Sequence, residues 1–365
     1  MQLIETETLR EWLENGRPVT VLDIRARNDY EEWSIPESVH VDAYERLKAG
    51  EPDALVGVSL PKDRPVVTIC NAGKVSQVAA EQLRQRGIDA FPLAGGMKSW
   101  SLAWNTAELV LGDTTVLQVR RTGKGCLSYL IGSGSEAVVI DASLESAVYL
   151  RLADKHCWNI RYVLDTHIHA DHLSRSRAVA EAAGAKLLLP VQRRVRFAFT
   201  PIEDSQIIAF GNARIKARST PGHTMESTCY DVNGHALFTG DTLFISGVGR
   251  PDLHASSDKS REKARILYRS LKHLMEFPPD TVVFPGHTSQ PVAFDGKPVC
   301  DQLGEISSRI ASWLDNEEEF VCTILARIPH TPPNFSRIVE LNEAGVMSEG
   351  DPTDLEAGAN RCAVS

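Results

Sequence analysis

The chain has 365 residues, enough for two domains of ordinary size. Its 42% hydrophobic and 24% charged content is that of a globular protein, which excludes a disordered or fibrous chain. A net charge of −9 argues against nucleic acid as a partner, because a phosphate backbone selects clustered Lys and Arg. The basic run Arg193-Arg194-Val195-Arg196 is local and reads as a solvated face. The first residues lack the basic and apolar regions of a signal peptide, and no apolar stretch reaches the roughly 18–20 residues that span a bilayer. Seven cysteines, odd in number and without a C-x-x-C pair, fit reduced thiols in a cytoplasm.

Along the chain, Val19-Thr20-Val21-Leu22-Asp23-Ile24 and Pro65-Val66-Val67-Thr68-Ile69-Cys70 are short apolar runs expected as buried strands. A helix is expected over residues 75–86, stopped by Gly87, with a third strand at Ala90-Phe91-Pro92-Leu93. Alternating strands and helices predict a parallel α/β sheet. Residues 101–114 separate this block from a second one. Strands are expected there at residues 115–119, 126–131 and 137–141, the last two joined by a turn rich in Gly and Ser. Tyr162-Val163-Leu164-Asp165 is a strand that runs into a histidine cluster, followed by a helix over residues 175–184. Ala236-Leu237-Phe238-Thr239 and Thr281-Val282-Val283-Phe284 are strands that run into Gly240-Asp241 and Pro285-Gly286-His287. Strand ends that deliver polar residues into loops are where α/β folds place ligands. The stretch 349–365, acidic and Gly-rich, is expected to be disordered. The expected division is residues 1–108, residues 109–345 and a flexible tail, 346–365.

Thr166-His167-Ile168-His169-Ala170-Asp171-His172 aims four ligand-type side chains from one short loop, and His223, Asp241 and His287 follow beside glycines that let the backbone bend. Imidazole suits zinc, iron and manganese, and a carboxylate hardens a site towards iron or manganese. This ordered set resembles the metallo-β-lactamase superfamily over about residues 115–290, which implies an αβ/βα sandwich with metal at one edge. Gly125-Cys126-Leu127-Ser128-Tyr129-Leu130 and Gly249-Arg250-Pro251-Asp252 are similar to both glyoxalase II and the persulfide dioxygenases. Both groups keep all seven ligand-type residues, so ligand counting does not separate hydrolase from dioxygenase. The dioxygenase resemblance implies one Fe(II) per chain on His167, His223 and Asp241, with three positions open. His169, Asp171, His172 and His287 then support that centre; in a zinc hydrolase they hold a second metal. Arg250 is expected to pair with Asp252 and shape the loop beside the metal, against the plainer reading of a surface ion pair worth about 0–1 kcal/mol. His330 is expected as a packed or surface histidine.

In residues 1–105, Leu22-Asp23-Ile24-Arg25, Ile35-Pro36-Glu37-Ser38-Val39, Cys70-Asn71-Ala72-Gly73-Lys74-Val75-Ser76 and Leu93-Ala94-Gly95-Gly96-Met97-Lys98-Ser99-Trp100 resemble a rhodanese sulfurtransferase domain. The loop from Cys70 to Ser76 lies between a strand and a helix, where backbone N–H groups and the helix N-terminus favour a thiolate or persulfide anion on Cys70. Many rhodanese loops carry Arg where this chain has Val75. Lys74 supplies a point charge without the guanidinium fork, which disfavours thiosulfate as donor. A sulfur-transfer domain beside such a metal domain makes chemical sense when both handle persulfide sulfur. The expected function is therefore oxidation of a glutathione-type thiol persulfide with O2 to sulfite and thiol, with sulfane sulfur from a donor carried on Cys70. The alternative is a zinc-dependent thioester hydrolase with a non-catalytic rhodanese module. A sensor with degenerate sites is at odds with the intact ligand set. Neither nucleic acid nor membrane is an expected partner, and homo-oligomerisation is left open.

Overall fold

A computed structural model describes residues 2–364. The apolar runs of the first block form a four-stranded parallel sheet in the order Val39–His40, Thr20–Asp23, Val66–Ile69, Ala90–Pro92. Thr20–Asp23 and Val66–Ile69 are buried throughout, as strands covered on both faces require. The helix Val75–Gln85 packs Ala79, Ala80 and Leu83 against Leu22, Val66 and Ala90. This is the parallel α/β domain expected from the sequence.

The second block is a sandwich. A seven-stranded mixed sheet runs from Thr200–Ile202 at one edge to Asn105–Leu111 at the other, and a six-stranded sheet carries Ala236–Gly240 beside Val282–Pro285. Alternate side chains of the two sheets interdigitate: Leu127, Tyr129, Ile131, Val138 and Ile140 face Ile215, Ala217, Tyr230, Phe238 and Phe284. Helices Ser146–Lys155 and Ser176–Ala183 cover the outer face of the first sheet, and Ser257–Leu274 covers the outer face of the second. The architecture is the expected αβ/βα sandwich. Residues 105–111, expected in the stretch separating the two blocks, instead form an edge strand in register with Thr114–Arg121. Asn105, Ala107, Leu109 and Leu111 share the more buried face and Thr106, Glu108 and Val110 the more exposed one, but polar Asn105 inside and apolar Val110 outside blur the period-2 signal in the sequence.

The expected flexible tail is a correction. Residues 353–356 are a helical turn, and Ala363–Val364 pairs antiparallel with Val248–Gly249. Between them the chain crosses the boundary between the two domains. Glu356 is fully buried; it accepts from the Leu173 backbone N at 3.0 Å and from Arg175 at 3.2 Å, and pairs with Arg121 at 2.6 Å. Arg121 in turn donates to the Ser101 carbonyl at 2.7 Å. Lys98 pairs with Asp351 and Asp354, and Arg361 pairs with Glu32, fastening the same segment to the first domain. Composition misled here because one buried carboxylate, invisible among exposed acids, does the anchoring.

Glu356→Ala leaves Arg121 and Arg175 buried without their carboxylate. The expected loss is about 3–5 kcal/mol, the usual result of removing one partner of a buried ion pair. Equilibrium urea unfolding measures it; a change under about 1 kcal/mol would contradict the anchoring role.

Candidate metal centre

The site lies where strand ends of the two sheets meet. Asn159–Leu164 ends in the loop that carries His167, His169, Asp171 and His172; Ala236–Gly240 delivers Asp241; Val282–Pro285 delivers His287. A backbone bridge between Cys126 and His287, with the Leu127 N donating to the Gly286 carbonyl at 2.8 Å, ties the sheets together at this edge. Gly240 adopts φ +49°, and a side chain there would strike Thr166, so only glycine lets the strand turn Asp241 inward.

All seven predicted residues are buried, and the ligand atoms of His167, His223 and Asp241 lie within 4.8 Å of one another. Asp241 Oδ2 sits 3.9 Å from His167 Nε2 and 3.6 Å from His223 Nε2. Each imidazole is oriented through its other nitrogen: His167 Nδ1 lies 2.9 Å from Thr166 Oγ1, and His223 Nδ1 lies 2.8 Å from the Arg250 carbonyl. Among the described residues no hydrogen bond reaches either Nε2, and Asp241 Oδ2 is buried without a donor. An orphaned carboxylate oxygen facing two unengaged imidazole nitrogens fits a divalent cation, which supplies what a buried anion otherwise lacks. Burial holds His167 and His223 below the usual imidazole range, in the neutral form that ligates. Burial also opposes the charge on Asp241, yet His287 at 2.5 Å from Oδ1 keeps it ionised.

The other four predicted residues are differently placed. Asp171 lies between His172, at 3.0 Å, and His287, whose Nε2 is 2.9 Å away but out of line for a hydrogen bond. Asp171 also faces Cys126 Sγ at 3.3 Å and accepts from Asn360 Nδ2 at 3.0 Å. His169 Nε2 lies 3.2 Å from Asp141 Oδ1, and Asp141 holds the loop by accepting from Thr166 N and Oγ1. His169 Nδ1 and His172 Nε2 remain buried without partners. This half is more heavily paired than the first triad, yet ligand atoms of Cys126, Asp171, His172 and His287 also lie within 4.8 Å of one another.

The Arg250–Asp252 pair forms, at 2.7 and 2.8 Å, and it is not a surface bridge: Arg250 is fully buried and also donates to the His330 and Arg361 carbonyls. His330 itself is exposed. The basic run at 193–196 departs from a purely solvated face. Arg194 pairs with Glu226 at 3.3 Å and Glu343 at 2.7 Å, at the edge of a cavity of about 740 Å³ that also touches His223.

Cys70 is 2% exposed, packed beside Leu22, Ile24 and Val66. Its Sγ accepts from the Ser76 N at 3.4 Å and lies 3.5 Å from Ser76 Oγ, so Ser76 is the member of the loop that meets the sulfur. Asn71 and Ala72 are exposed and line a cavity of about 390 Å³, closed on its far side by Thr353, Asp354 and residues 357–359. Gly73 is packed against Gly95, and Lys74 is exposed. Val75 opens the helix, as expected.

Residues not anticipated from the sequence include Asp141, Asn342 and Asn360. Asn342 donates to the His169 and His172 carbonyls, both at 2.9 Å, and fixes the loop from a helix far along the chain. Asp141 alone left a sequence signal, as the polar residue that ends an apolar strand; its backbone is left-handed there, at φ 56°.

Residues 5–103 match the rhodanese-like domain, and residues 121–197 and 188–287 match the metallo-beta-lactamase superfamily. The chain is 33% identical over 188 residues to the persulfide dioxygenase ETHE1 of Bos taurus, covering 48% of this chain and 69% of that protein. It is 32% identical over 151 residues to a hydroxyacylglutathione hydrolase of Rhizobium etli, covering 40% of this chain and 56% of that protein. The match thus spans little more than half of the hydrolase's length. The solved structure of ETHE1 from Myxococcus xanthus superposes with a TM-score of 0.54 at 26% identity, covering 67% of this chain and all of that one.

Arg250→Ala removes the bonds that hold the Arg250 carbonyl against His223 Nδ1. The expected result is a loss of about tenfold or more in affinity for a divalent cation, as for other supports of a ligating histidine. Metal content after dialysis against graded chelator measures this, and unchanged retention would contradict it.

Proposed function

Because the chain belongs to the metallo-beta-lactamase superfamily, with a rhodanese-like domain ahead of that fold, we propose that it is a non-haem iron persulfide dioxygenase with sulfurtransferase capacity. The observation that carries this reading is the triad His167, His223 and Asp241, with its orphaned carboxylate oxygen facing two unengaged imidazole nitrogens. Two histidines and one carboxylate are the ligand set of non-haem iron oxygenases. Fe(II) held by these three residues would supply the activation of O2.

The chain's own residues do the rest. His287, held above the usual imidazole range against burial by Asp171 and Asp241, keeps its proton and fixes Asp241 Oδ1, so that Oδ2 is presented to the metal. Asp141 and Asn342 fix the loop from both sides. The overall reaction balances as persulfide, O2 and water giving thiol and sulfite, with one sulfite oxygen from water. In the first domain, the Cys70 thiolate attacks the outer sulfur of a sulfane donor; the Cys70 S–S bond forms as the donor's own S–S bond breaks, and the rest of the donor leaves as an anion with that electron pair. A thiol carrier then attacks that sulfur and leaves Cys70 as thiolate, held by Ser76 N.

A zinc-dependent thioester hydrolase remains the second reading. The buried, unpartnered His169 Nδ1 and His172 Nε2 favour it, since these are the atoms a second cation would engage.

His167→Ala, His223→Ala and Asp241→Ala are each expected to lose bound iron and persulfide oxidation together. His169→Ala is expected to keep iron. Loss of a second metal equivalent on His169→Ala, with thioester hydrolysis lost in parallel, would favour the hydrolase. Cys70→Ser is expected to abolish sulfur transfer from donor to thiol while oxidation of preformed glutathione persulfide continues. Folded, iron-loaded Cys70→Ser without dioxygenase activity would overturn the division of labour.

A further inference from the structure

The Cys70 loop faces a cavity of about 390 Å³ walled by both ends of the chain. Trp33, Asn71 and Ala72 line it from the first domain, and Asp354 with residues 357–359 closes it from the C-terminal segment. Among the described residues, two cations line this space, Arg25 and Lys98. Arg25 is buried, and its guanidinium is engaged by Asp23 Oδ2 at 2.7 Å and by the Trp33 carbonyl at 2.6 Å. Lys98 lies 3.5 Å from Asp351 and also pairs with Asp354. Glu32 pairs with Arg361, whereas Asp29 accepts from the neutral Asn71 amide at 2.9 Å. A small anion entering the cavity therefore meets acids and, among the described residues, no cation without a carboxylate partner.

The pocket nevertheless holds the parts of an anion site. The Lys98 N donates to the Asn71 carbonyl at 2.9 Å, which sets the base of its side chain beside the residue that follows Cys70. Trp33 is 3% exposed, and its indole N–H is buried without an acceptor, a cost that an acceptor brought by a ligand would relieve. The C-terminal segment grips the two domains unequally. Buried Glu356 and the pairing of Ala363–Val364 with Val248–Gly249 hold it to the second domain. Asp351 and Asp354 are exposed, so their hold on Lys98 is screened by salt and open to competition from a free anion.

We propose that Asp351 and Asp354 set the donor specificity of the sulfur-transfer site. They occupy Lys98 as a built-in anion and hold off compact free anions such as thiosulfate, which leaves Cys70 to sulfane donors without that charge. The assignment rests on the sulfurtransferase reading given above and gives the end of the metal-binding domain a part in the first domain's chemistry. Its cause is independent of Val75: the loop lacks a guanidinium, and in addition the lysine that lines the cavity is engaged by acids from another domain.

The test uses the full-length protein, with thiosulfate as donor and cyanide as acceptor. The Cys70 thiolate attacks the outer sulfur as the S–S bond of thiosulfate breaks, and sulfite leaves with the electron pair. Cyanide then bonds to that sulfur, giving thiocyanate, and Cys70 departs as thiolate. Asp351→Asn/Asp354→Asn removes both charges, and the change at 351 keeps the Oδ1 that accepts from Thr353 N. KM for thiosulfate is expected to fall by about threefold or more, the scale of exposed ion pairs, with oxidation of preformed glutathione persulfide unchanged. Adding Lys98→Gln should cancel the gain. Thiosulfate binding, titrated by calorimetry on the unreactive Cys70→Ser background, should follow the same pattern. Unchanged KM or unchanged binding in Asp351→Asn/Asp354→Asn, or a gain that survives Lys98→Gln, would overturn the assignment. If no variant yields thiocyanate, yet removing the aspartate charges tightens thiosulfate binding through Lys98, the sulfurtransferase reading fails and the masking of Lys98 stands. If thiosulfate neither reacts nor binds in any variant, the masking fails as well.

Discussion

Glu356 is the charge on which the relation between the two domains depends. A carboxylate with no exposed surface is costly to bury, and it is tolerated here because two arginines and the Leu173 amide meet it. Leu173 follows His172 directly, so the anion that anchors the C-terminal segment also ends the ligand loop. Arg121 continues the contact to Ser101 in the first domain. A few residues further on, Asn360 donates to Asp171, and the Cys362 carbonyl accepts from Arg250 N. One segment therefore touches the face beside Cys70, the histidine loop and the Arg250 turn. The Cys70 face and the buried histidine cluster are thus tied by one returning segment rather than by a linker alone.

The site itself divides by how its polar atoms are satisfied. Asp171, His172, His287, Cys126 and Asn360 are arranged around one another, and the cost of burying Asp171 is offset by its neighbours. His167, His223 and Asp241 are each held by one atom and left open at the other. Protein-supplied partners orient ligand atoms in this way where a cation completes the set. His169 and His172 are likewise open at one nitrogen, so the two halves differ in how densely they are paired rather than in kind.

The sequence made the elements nearest the chemistry legible. Apolar runs ending in Asp241 and His287 are strands because burial on both faces demands continuous apolar side chains, and the polar residue marks where the strand stops. The loop from His167 to His172 and the Cys70 loop announced themselves by residue type. What stayed hidden depends on partners distant in sequence. Asn342 reads as any polar helix residue until its amide meets two loop carbonyls, and Glu356 reads as one acid in an acidic stretch until it meets Arg121. Arg250 was readable as a partner of Asp252 beside the metal loop, but not its full burial, to which the returning C-terminal segment contributes through the Arg361 carbonyl. The Cys70 loop shows its position in the sequence but not its orientation: Asn71 and Ala72 are exposed, while the sulfur turns into the apolar cluster under the loop.

Oxygen uptake on preformed glutathione persulfide, with metals counted in the same sample, tests the central claim most directly. One O2 consumed per sulfite formed, with one iron per chain, is the predicted result. Two zinc ions per chain, hydrolysis of a glutathione thioester and no oxygen uptake would contradict it.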